Sequence, residues 1–153
     1  NGGAASLVAI ANHYVGGHEW SYFILCSAVS VAASDTLASE IGSLDPRTRI
    51  ITTLEAVPAG TNGGMSPTGT LAAFYGALLI ASISTVLGAI NGDSTNSVFF
   101  FSFVILFGWA GCQVDSILGA LLENRGILGK HSVNFLSTVS GCLMALFVAL
   151  RFL

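Results

Sequence analysis

Charged residues are what this sequence lacks most. Only 8% of its 153 residues are Asp, Glu, Lys or Arg, whereas a soluble domain carries about 25%. Its five Lys and Arg residues are outnumbered by eight Asp and Glu residues, which excludes the basic stripes of a nucleic-acid-binding protein. An apolar content of 53% excludes a disordered chain. The composition therefore predicts an integral membrane protein.

Cysteine is scarce as well, and its placement excludes two further classes. Cys26, Cys112 and Cys142 lie far apart, each inside an apolar stretch, so they form neither a disulfide framework nor a zinc-ligand pattern. We interpret them as small side chains in helix interfaces. The chain begins at Asn1 without a basic segment before an apolar core, so no signal peptide is predicted.

Long apolar stretches are what the sequence has in abundance. A helix needs about 20 apolar residues to cross a hydrocarbon core of about 30 Å. Residues 4–15 are apolar but too short to span, and are typical of a half-helix. We therefore expect an all-α polytopic membrane protein with four transmembrane helices after an N-terminal half-helix. The predicted spans are residues 21–39, 68–90, 97–122 and 133–150.

The connecting segments predict an orientation. Four spans place the polar loops 40–67 and 123–131 on the same side, with the turn 91–96 on the other side. The two loops carry four of the five basic residues, so the positive-inside rule places both loops in the cytoplasm or its equivalent. The four basic residues are Arg47, Arg49, Arg125 and Lys130.

Two aspartates interrupt the predicted spans. Charges within spans are costly and are candidates for function. Asp35 lies near the end of the first span and Asp115 inside the third, and both spans run toward the same face. Carboxylates at matched depth suit a divalent cation, which prefers hard oxygen ligands. We predict that they bind Mg²⁺ and act in catalysis with Glu40. Alternatively, each aspartate bonds a neighbouring helix or takes up a proton.

A segment rich in glycine precedes the second span. Residues 57–70 read VPAGTNGGMSPTGT, in which Ser66 and Pro67 predict the N-cap and first residue of a helix. A helix N-terminus preceded by exposed backbone amides suits a phosphate. No Gly-Lys-Ser/Thr follows, so the segment is not a Walker motif; the alternative is an ordinary turn. The predicted phosphate-binding residues here are Gly60, Thr61, Asn62, Gly63, Gly64, Ser66 and Thr68.

Together these features predict a phosphate-handling site at one membrane face. The basic residues Arg49 and Lys130 are expected to contribute to phosphate binding. A site of this kind suits a lipid phosphate that meets a soluble nucleotide. Phosphoryl transfer needs mainly positioning and charge neutralisation, and can proceed without a nucleophilic side chain.

Five motifs in order carry a family resemblance. They are SDTLASEIG at 34–42, ITT at 51–53, VPAGTNGGMSPTGT at 57–70, DSILGA at 115–120 and VNFLS at 133–137. This series resembles the phytyl-phosphate kinase family of integral membrane proteins, which includes transmembrane protein 19. It is more faintly similar to CTP-dependent lipid kinases and cytidylyltransferases.

The resemblance implies an activity. A member of this family would convert an isoprenoid monophosphate into its diphosphate, using CTP or another nucleoside triphosphate and Mg²⁺. It would lie in a prokaryotic plasma membrane or a plastid membrane, with its active site facing the cytoplasm or stroma. Its partners would be a membrane prenyl phosphate and a nucleotide, with no nucleic acid. The residues that occupy the family motifs are Asp35, Glu40, Thr52, Thr53, Asn62, Gly63, Gly64, Ser66, Asp115, Ser116 and Asn134.

The resemblance also bears on domain organisation. Members of the family usually have further N-terminal helices, so residues 1–153 are interpreted as one membrane domain that is the C-terminal part of a longer family domain. We expect those helices, or another subunit in a homo-oligomer, to complete the lipid groove.

Two other functions stay open from the sequence. One is a cytidylyltransferase that makes a CDP-lipid. The other is a small transporter that uses residues 40–67 as a binding loop at a discontinuous helix, although the sequence contains no inverted repeat.

Overall fold

The computed structural model describes residues 2–15, 19–92 and 97–152 and confirms the all-α class. A π-helical turn, Gly119–Glu123, continues the fourth helix. The turn predicted at 91–96 is described at Asn91 and Gly92, and its remaining residues lie outside the described ranges. The helices are α1 Gly2–Val15, α2 Glu19–Gly42, α3 Pro67–Ile90, α4 Ser97–Leu118 and α5 Lys130–Phe152.

Four helical segments are long and apolar enough to cross a membrane, as predicted: Trp20–Gly42, Pro67–Ile90, Ser97–Glu123 and Lys130–Phe152. α1 has 14 residues and matches the predicted half-helix. The first and fourth spans extend three residues further toward the loops than predicted, to Gly42 and from Lys130. Hydropathy marks where the apolar stretch ends, whereas a helix continues into polar residues until its backbone is capped.

The central helix is α2, which contacts α1, α3, α4 and α5. Ser27, Ser30 and Ser34 on α2 are fully buried. The Ser30 hydroxyl donates a hydrogen bond of 3.0 Å to the carbonyl oxygen of Val104 on α4. Small residues allow helices to approach closely, which is what drives helix packing where the surrounding lipid is as apolar as the side chains.

An aromatic cluster joins the start of α2 to the first half of α4. The ring of Phe23 lies 5.7 Å from that of Phe100 and 6.0 Å from that of Phe107, between centroids. Separations of this size are favourable for aromatic pairs. The apolar core therefore holds one end of the bundle and leaves the polar groups to the other end.

That other end carries the segment between α2 and α3. It contains two strands, β1 Arg49–Ile50 and β2 Gly64–Met65, which pair antiparallel with Arg49 opposite Met65 and Ile50 opposite Gly64. The sequence did not predict this hairpin, because strands of two residues are too short to show the alternation by which strands are recognised.

Candidate functional site

A polar cleft lies where the C-terminal ends of α2 and α4 meet the first turn of α3, the start of α5 and the loop that carries the hairpin. Its volume of about 330 Å³ lies within the range of small-molecule sites, about 300–1,000 Å³. The predicted site residues that line it are Asp35, Glu40, Gly60, Thr61, Asn62, Gly63, Gly64, Ser66, Asp115, Ser116 and Lys130.

The two intramembrane aspartates meet in this cleft. The side chains of Asp35 on α2 and Asp115 on α4 are within hydrogen-bonding reach of each other. In the described ranges, no group of three or more His, Cys, Asp or Glu side chains could hold a metal ion. The metal-binding chemistry that the described residues offer here is thus a pair of carboxylates, with other ligands left to substrate and water.

The start of α3 is capped as the sequence predicts. Ser66 is the N-cap, its hydroxyl oxygen accepting a hydrogen bond of 3.1 Å from the backbone N–H of Gly69, and Pro67 is the first helical residue. Ser66 is buried and lines the cleft. The positive end of the α3 dipole is therefore fixed at the cleft wall.

Residues 60–64, here called the glycine loop, pack against the end of α4. The side-chain amide of Asn62 donates a hydrogen bond of 2.9 Å to Oε1 of Glu123. The side-chain amide of Asn124 donates one of 3.0 Å to the carbonyl oxygen of Asn62. At Gly63, which has a φ of +72°, a Cβ would lie 2.5 Å from the Cβ of Ala120. Glycine is needed at this position because its backbone touches the helix.

A buried carboxylate ties the start of the segment between α2 and α3 to α3 itself. Asp45, 5% exposed, accepts hydrogen bonds from Nε and Nη2 of Arg47, both at 2.9 Å, and from Oγ1 of Thr68 at 2.9 Å. The Arg47 guanidinium, helped by the Arg47 backbone N–H and by Thr68, holds the pKa of Asp45 well below its usual range. The same pairing raises the pKa of Arg47. Sequence reasoning did not identify Asp45 as the centre of this network.

Five predicted phosphate-binding residues lie outside the cleft lining: Arg49, Thr52, Thr53, Thr68 and Asn134. Arg49 donates a hydrogen bond of 2.8 Å to the carbonyl oxygen of Leu54 within its own hairpin. Thr52 and Thr53 occupy the exposed turn after β1, and Thr68 bonds Asp45. The carbonyl oxygen of Asn134 accepts hydrogen bonds from the hydroxyls of Ser137 and Thr138.

The polar lining residues that lie outside the predicted site set are Ser39, Ser43, Thr48, Thr70, Gln113 and Glu123. Thr70 and Gln113 lie inside predicted spans, so their polarity in an apolar stretch was a usable signal. Thr48 is buried, and its hydroxyl donates a hydrogen bond of 2.9 Å to the carbonyl oxygen of Asp45. Only the folded loop brings Thr48 to the cleft.

Comparison with known proteins identifies a family whose model matches most of this chain. The family model described as integral membrane protein DUF92 matches residues 1–142. An uncharacterized membrane protein of Methanocaldococcus jannaschii is 35% identical over 86% of this chain and 53% of its own length. One of Synechocystis is 33% identical over 93% of this chain and 54% of its own. Protein VTE6, chloroplastic, of Arabidopsis thaliana is 31% identical over 88% of this chain and 40% of its own.

The chain therefore spans about half the length of the curated relatives it matches, 53% and 54% for the archaeal and cyanobacterial proteins. No solved structure gives a significant match.

Proposed function

The chain belongs to the DUF92 family of integral membrane proteins, and from this premise we propose that it is a prenyl-phosphate kinase. In the proposed reaction, an oxygen of a membrane prenyl monophosphate attacks the terminal phosphorus of a nucleoside triphosphate, for which we propose CTP. The bond from that phosphorus to the bridging oxygen breaks, giving a prenyl diphosphate and a nucleoside diphosphate. The observation that carries the proposal is the pair Asp35 and Asp115, which shares one cleft with the glycine loop.

The donor set of the cleft fits Mg²⁺. This ion is commonly held by one or two carboxylates together with substrate phosphates and water, and Asp35 and Asp115 supply two carboxylates in contact. When bound there, Mg²⁺ would neutralise charge on the transferring phosphoryl group. Glu40, which also lines the cleft, is proposed to act with the pair.

The charge of the cleft supports a substrate that arrives with a cation. Its described lining includes the carboxylates of Asp35, Glu40, Asp115 and Glu123. The described lining includes one basic side chain, Lys130. Since like charges repel strongly in a partly desolvated site, a polyphosphate without a cation would be disfavoured. Lys130 is proposed to bind a phosphate oxygen.

The position of the cleft suits a lipid substrate. Its walls include the ends of four spans, so a prenyl tail can stay in the bilayer while its phosphate reaches the polar groups. The two loops that contact each other through Asn62 and Asn124 lie at this end. We propose that this end faces the cytoplasm, or the stroma in a plastid, because these loops carry most of the basic residues.

Phosphoryl transfer by the purified chain in nanodiscs tests the proposal. The assay offers a panel of prenyl monophosphates with CTP, ATP, GTP or UTP and Mg²⁺, and identifies lipid and nucleotide products. Asp35→Asn and Asp115→Asn are expected to lower turnover by about a hundredfold or more, the usual scale for loss of a group that stabilises charge in the transition state. Glu55→Gln, a carboxylate outside the cleft lining, serves as the matched control.

Other products would assign other functions. A CDP-lipid with pyrophosphate release would identify the cytidylyltransferase instead. Uptake into proteoliposomes without any nucleotide would identify the transporter. Unimpaired turnover in both aspartate variants would contradict the roles given to Asp35 and Asp115.

A further inference from the structure

The glycine loop is held at the π-helical turn after α4 by side chains outside the Asp35–Asp115 pair. Glu123 accepts a hydrogen bond of 2.9 Å from the side-chain amide of Asn62, and Asn124 donates one of 3.0 Å to the Asn62 carbonyl oxygen. We propose that Glu123 is a positioning residue that acts through Asn62. It fixes the distance between the glycine loop and the Asp35–Asp115 pair. The effect on catalysis rests on the proposed function, whereas the effect on the loop does not.

The π-helical turn is what brings Glu123 and Asn124 to the loop. The backbone N–H of Asn124 donates a hydrogen bond of 3.1 Å to the carbonyl oxygen of Gly119, five residues earlier. A wider turn of this kind rotates the residues that follow it relative to a continued α-helix, and such turns are frequent at functional sites. Asp115, which precedes the turn, and Glu123, its last residue, both line the cleft.

Backbone contact reinforces the side-chain bonds. A Cβ at Gly63 would lie 2.5 Å from the backbone nitrogen of Ala120, and one at Gly119 would lie 3.0 Å from the backbone nitrogen of Gly63. The loop and the π-helical turn are therefore in contact along their backbones. A loop held on both its backbone and its side chains is pre-organised, so less entropy is lost when a ligand binds.

The hydrogen bond also distinguishes this role from that of a metal ligand. A positioning residue needs only an acceptor oxygen for the Asn62 amide, and glutamine retains one. A cation ligand or a general base needs the charge, which glutamine lacks. The variants Glu123→Ala and Glu123→Gln therefore separate the two roles in the full chain.

Steady-state kinetics in nanodiscs provide the first test. Glu123→Ala is expected to raise the KM for the nucleotide about fivefold, the factor carried by a typical hydrogen bond between uncharged groups. Its kcat and its KM for the prenyl phosphate are expected to change by less than about twofold, because the Asp35–Asp115 pair is carried by α2 and α4 and stays in place when the loop loosens. Glu123→Gln should restore the nucleotide KM, and Asn124→Ala should raise it.

The control is Glu55→Ala, which removes an exposed carboxylate of the segment between α2 and α3 that lies outside the cleft lining. A merely structural role of Glu123 would lower the amount of active protein, and hence kcat, with KM unchanged. A glutamine variant as impaired as the alanine variant would overturn the proposal in favour of a role for the charge.

Hydrogen exchange of the substrate-free protein provides the second test, which needs no activity. Glu123→Ala should speed exchange of the Gly64 amide, which bonds the Thr61 carbonyl within the loop, by about tenfold, because local opening governs exchange of such amides. Glu123→Gln should leave the exchange rate of the Gly64 amide unchanged. Amides in the middle of α3 should exchange at the wild-type rate in both variants. Unchanged exchange in Glu123→Ala would overturn the proposal, even if the wild type proves to be a kinase. If the wild type has no kinase activity but the exchange result holds, the proposed function fails and the positioning role stands.

Discussion

Two glycines of the same loop face different constraints. Gly60 and Gly63 have φ values of +82° and +72°, a region that costs other L-residues about 1–2 kcal/mol. A Cβ at Gly60 would meet nothing within 4 Å, whereas one at Gly63 would lie 2.5 Å from atoms of Ala120. Substitutions at these two glycines therefore distinguish the loss of stability caused by backbone conformation from the loss caused by a steric clash with the helix.

The comparison of Gly63→Ala with Gly60→Ala tests this contact. Gly60→Ala should lower the free energy of unfolding by about 1 kcal/mol through backbone strain alone. Gly63→Ala should lower it by about 1–3 kcal/mol more, because overpacking forces the loop away from the helix. Denaturant unfolding in detergent measures both values. Equal destabilisation by the two variants would contradict the close approach of the glycine loop to Ala120.

At the scale of elements, the sequence predicted the helices but not the way the loops attach to them. Transmembrane spans can be predicted from sequence because each needs about twenty apolar residues in succession. The helix start at Ser66 and Pro67 can be predicted because capping depends on neighbouring residues only. The attachment of the π-helical turn to the glycine loop and the pairing of the two-residue strands depend on contacts between residues distant in sequence. Asn62 with Glu123 is one such contact, 61 residues apart.

The hydrogen bonds of Asp45 also attach the loop to a helix, α3, and from them we predict how stability depends on pH. Asp45→Asn should lower the thermal unfolding temperature near neutral pH, since it removes the ion pair with Arg47 and weakens the bond to Thr68. The pKa of Asp45 is depressed in the folded protein. Its contribution is therefore complete above the unfolded pKa of about 3.9 and is lost progressively as the pH falls below that value.

Unfolding temperatures measured in detergent across this range test the expectation. The difference between wild type and Asp45→Asn should stay constant from about pH 8 to about pH 5 and narrow below about pH 4. Glu55→Gln, an exposed carboxylate on the same loop, should show no comparable difference. A gap that widens toward acid would contradict the depressed pKa.

At the scale of the whole molecule, the alternation of spans gathers the site. Asp35 and Asp115 were predicted at one depth because α2 and α4 run in the same direction, and the structure brings them into contact. Two of the loop cations were harder to place from sequence, since each of them bonds a local partner. Arg47 pairs with Asp45 and Arg49 with the Leu54 carbonyl, so the basic residue that lines the described part of the cleft is Lys130.

The orientation of the whole molecule follows from the same charges. The loop 43–66 and the segment after the π-helical turn lie at one end of the bundle, since Asn124 bonds Asn62. The positive-inside rule predicts that this end faces the cytoplasm. Single cysteines at Ala59 and Ile127 on this end, and at Asn91 on the other, report the orientation because all three positions are exposed.

Labelling with a membrane-impermeant thiol reagent measures this orientation. The single cysteines are introduced into a variant in which Cys26, Cys112 and Cys142 are replaced by alanine. Added outside intact bacterial cells that express the protein, the reagent should label Asn91→Cys and spare Ala59→Cys and Ile127→Cys. In inside-out vesicles the pattern should reverse, because the exposed thiols then lie on the opposite face. Labelling of Ala59→Cys and Ile127→Cys from outside would invert the predicted orientation. Labelling of these two from different sides would contradict the fold, because the contacts between Asn62 and Asn124 require both segments on one side.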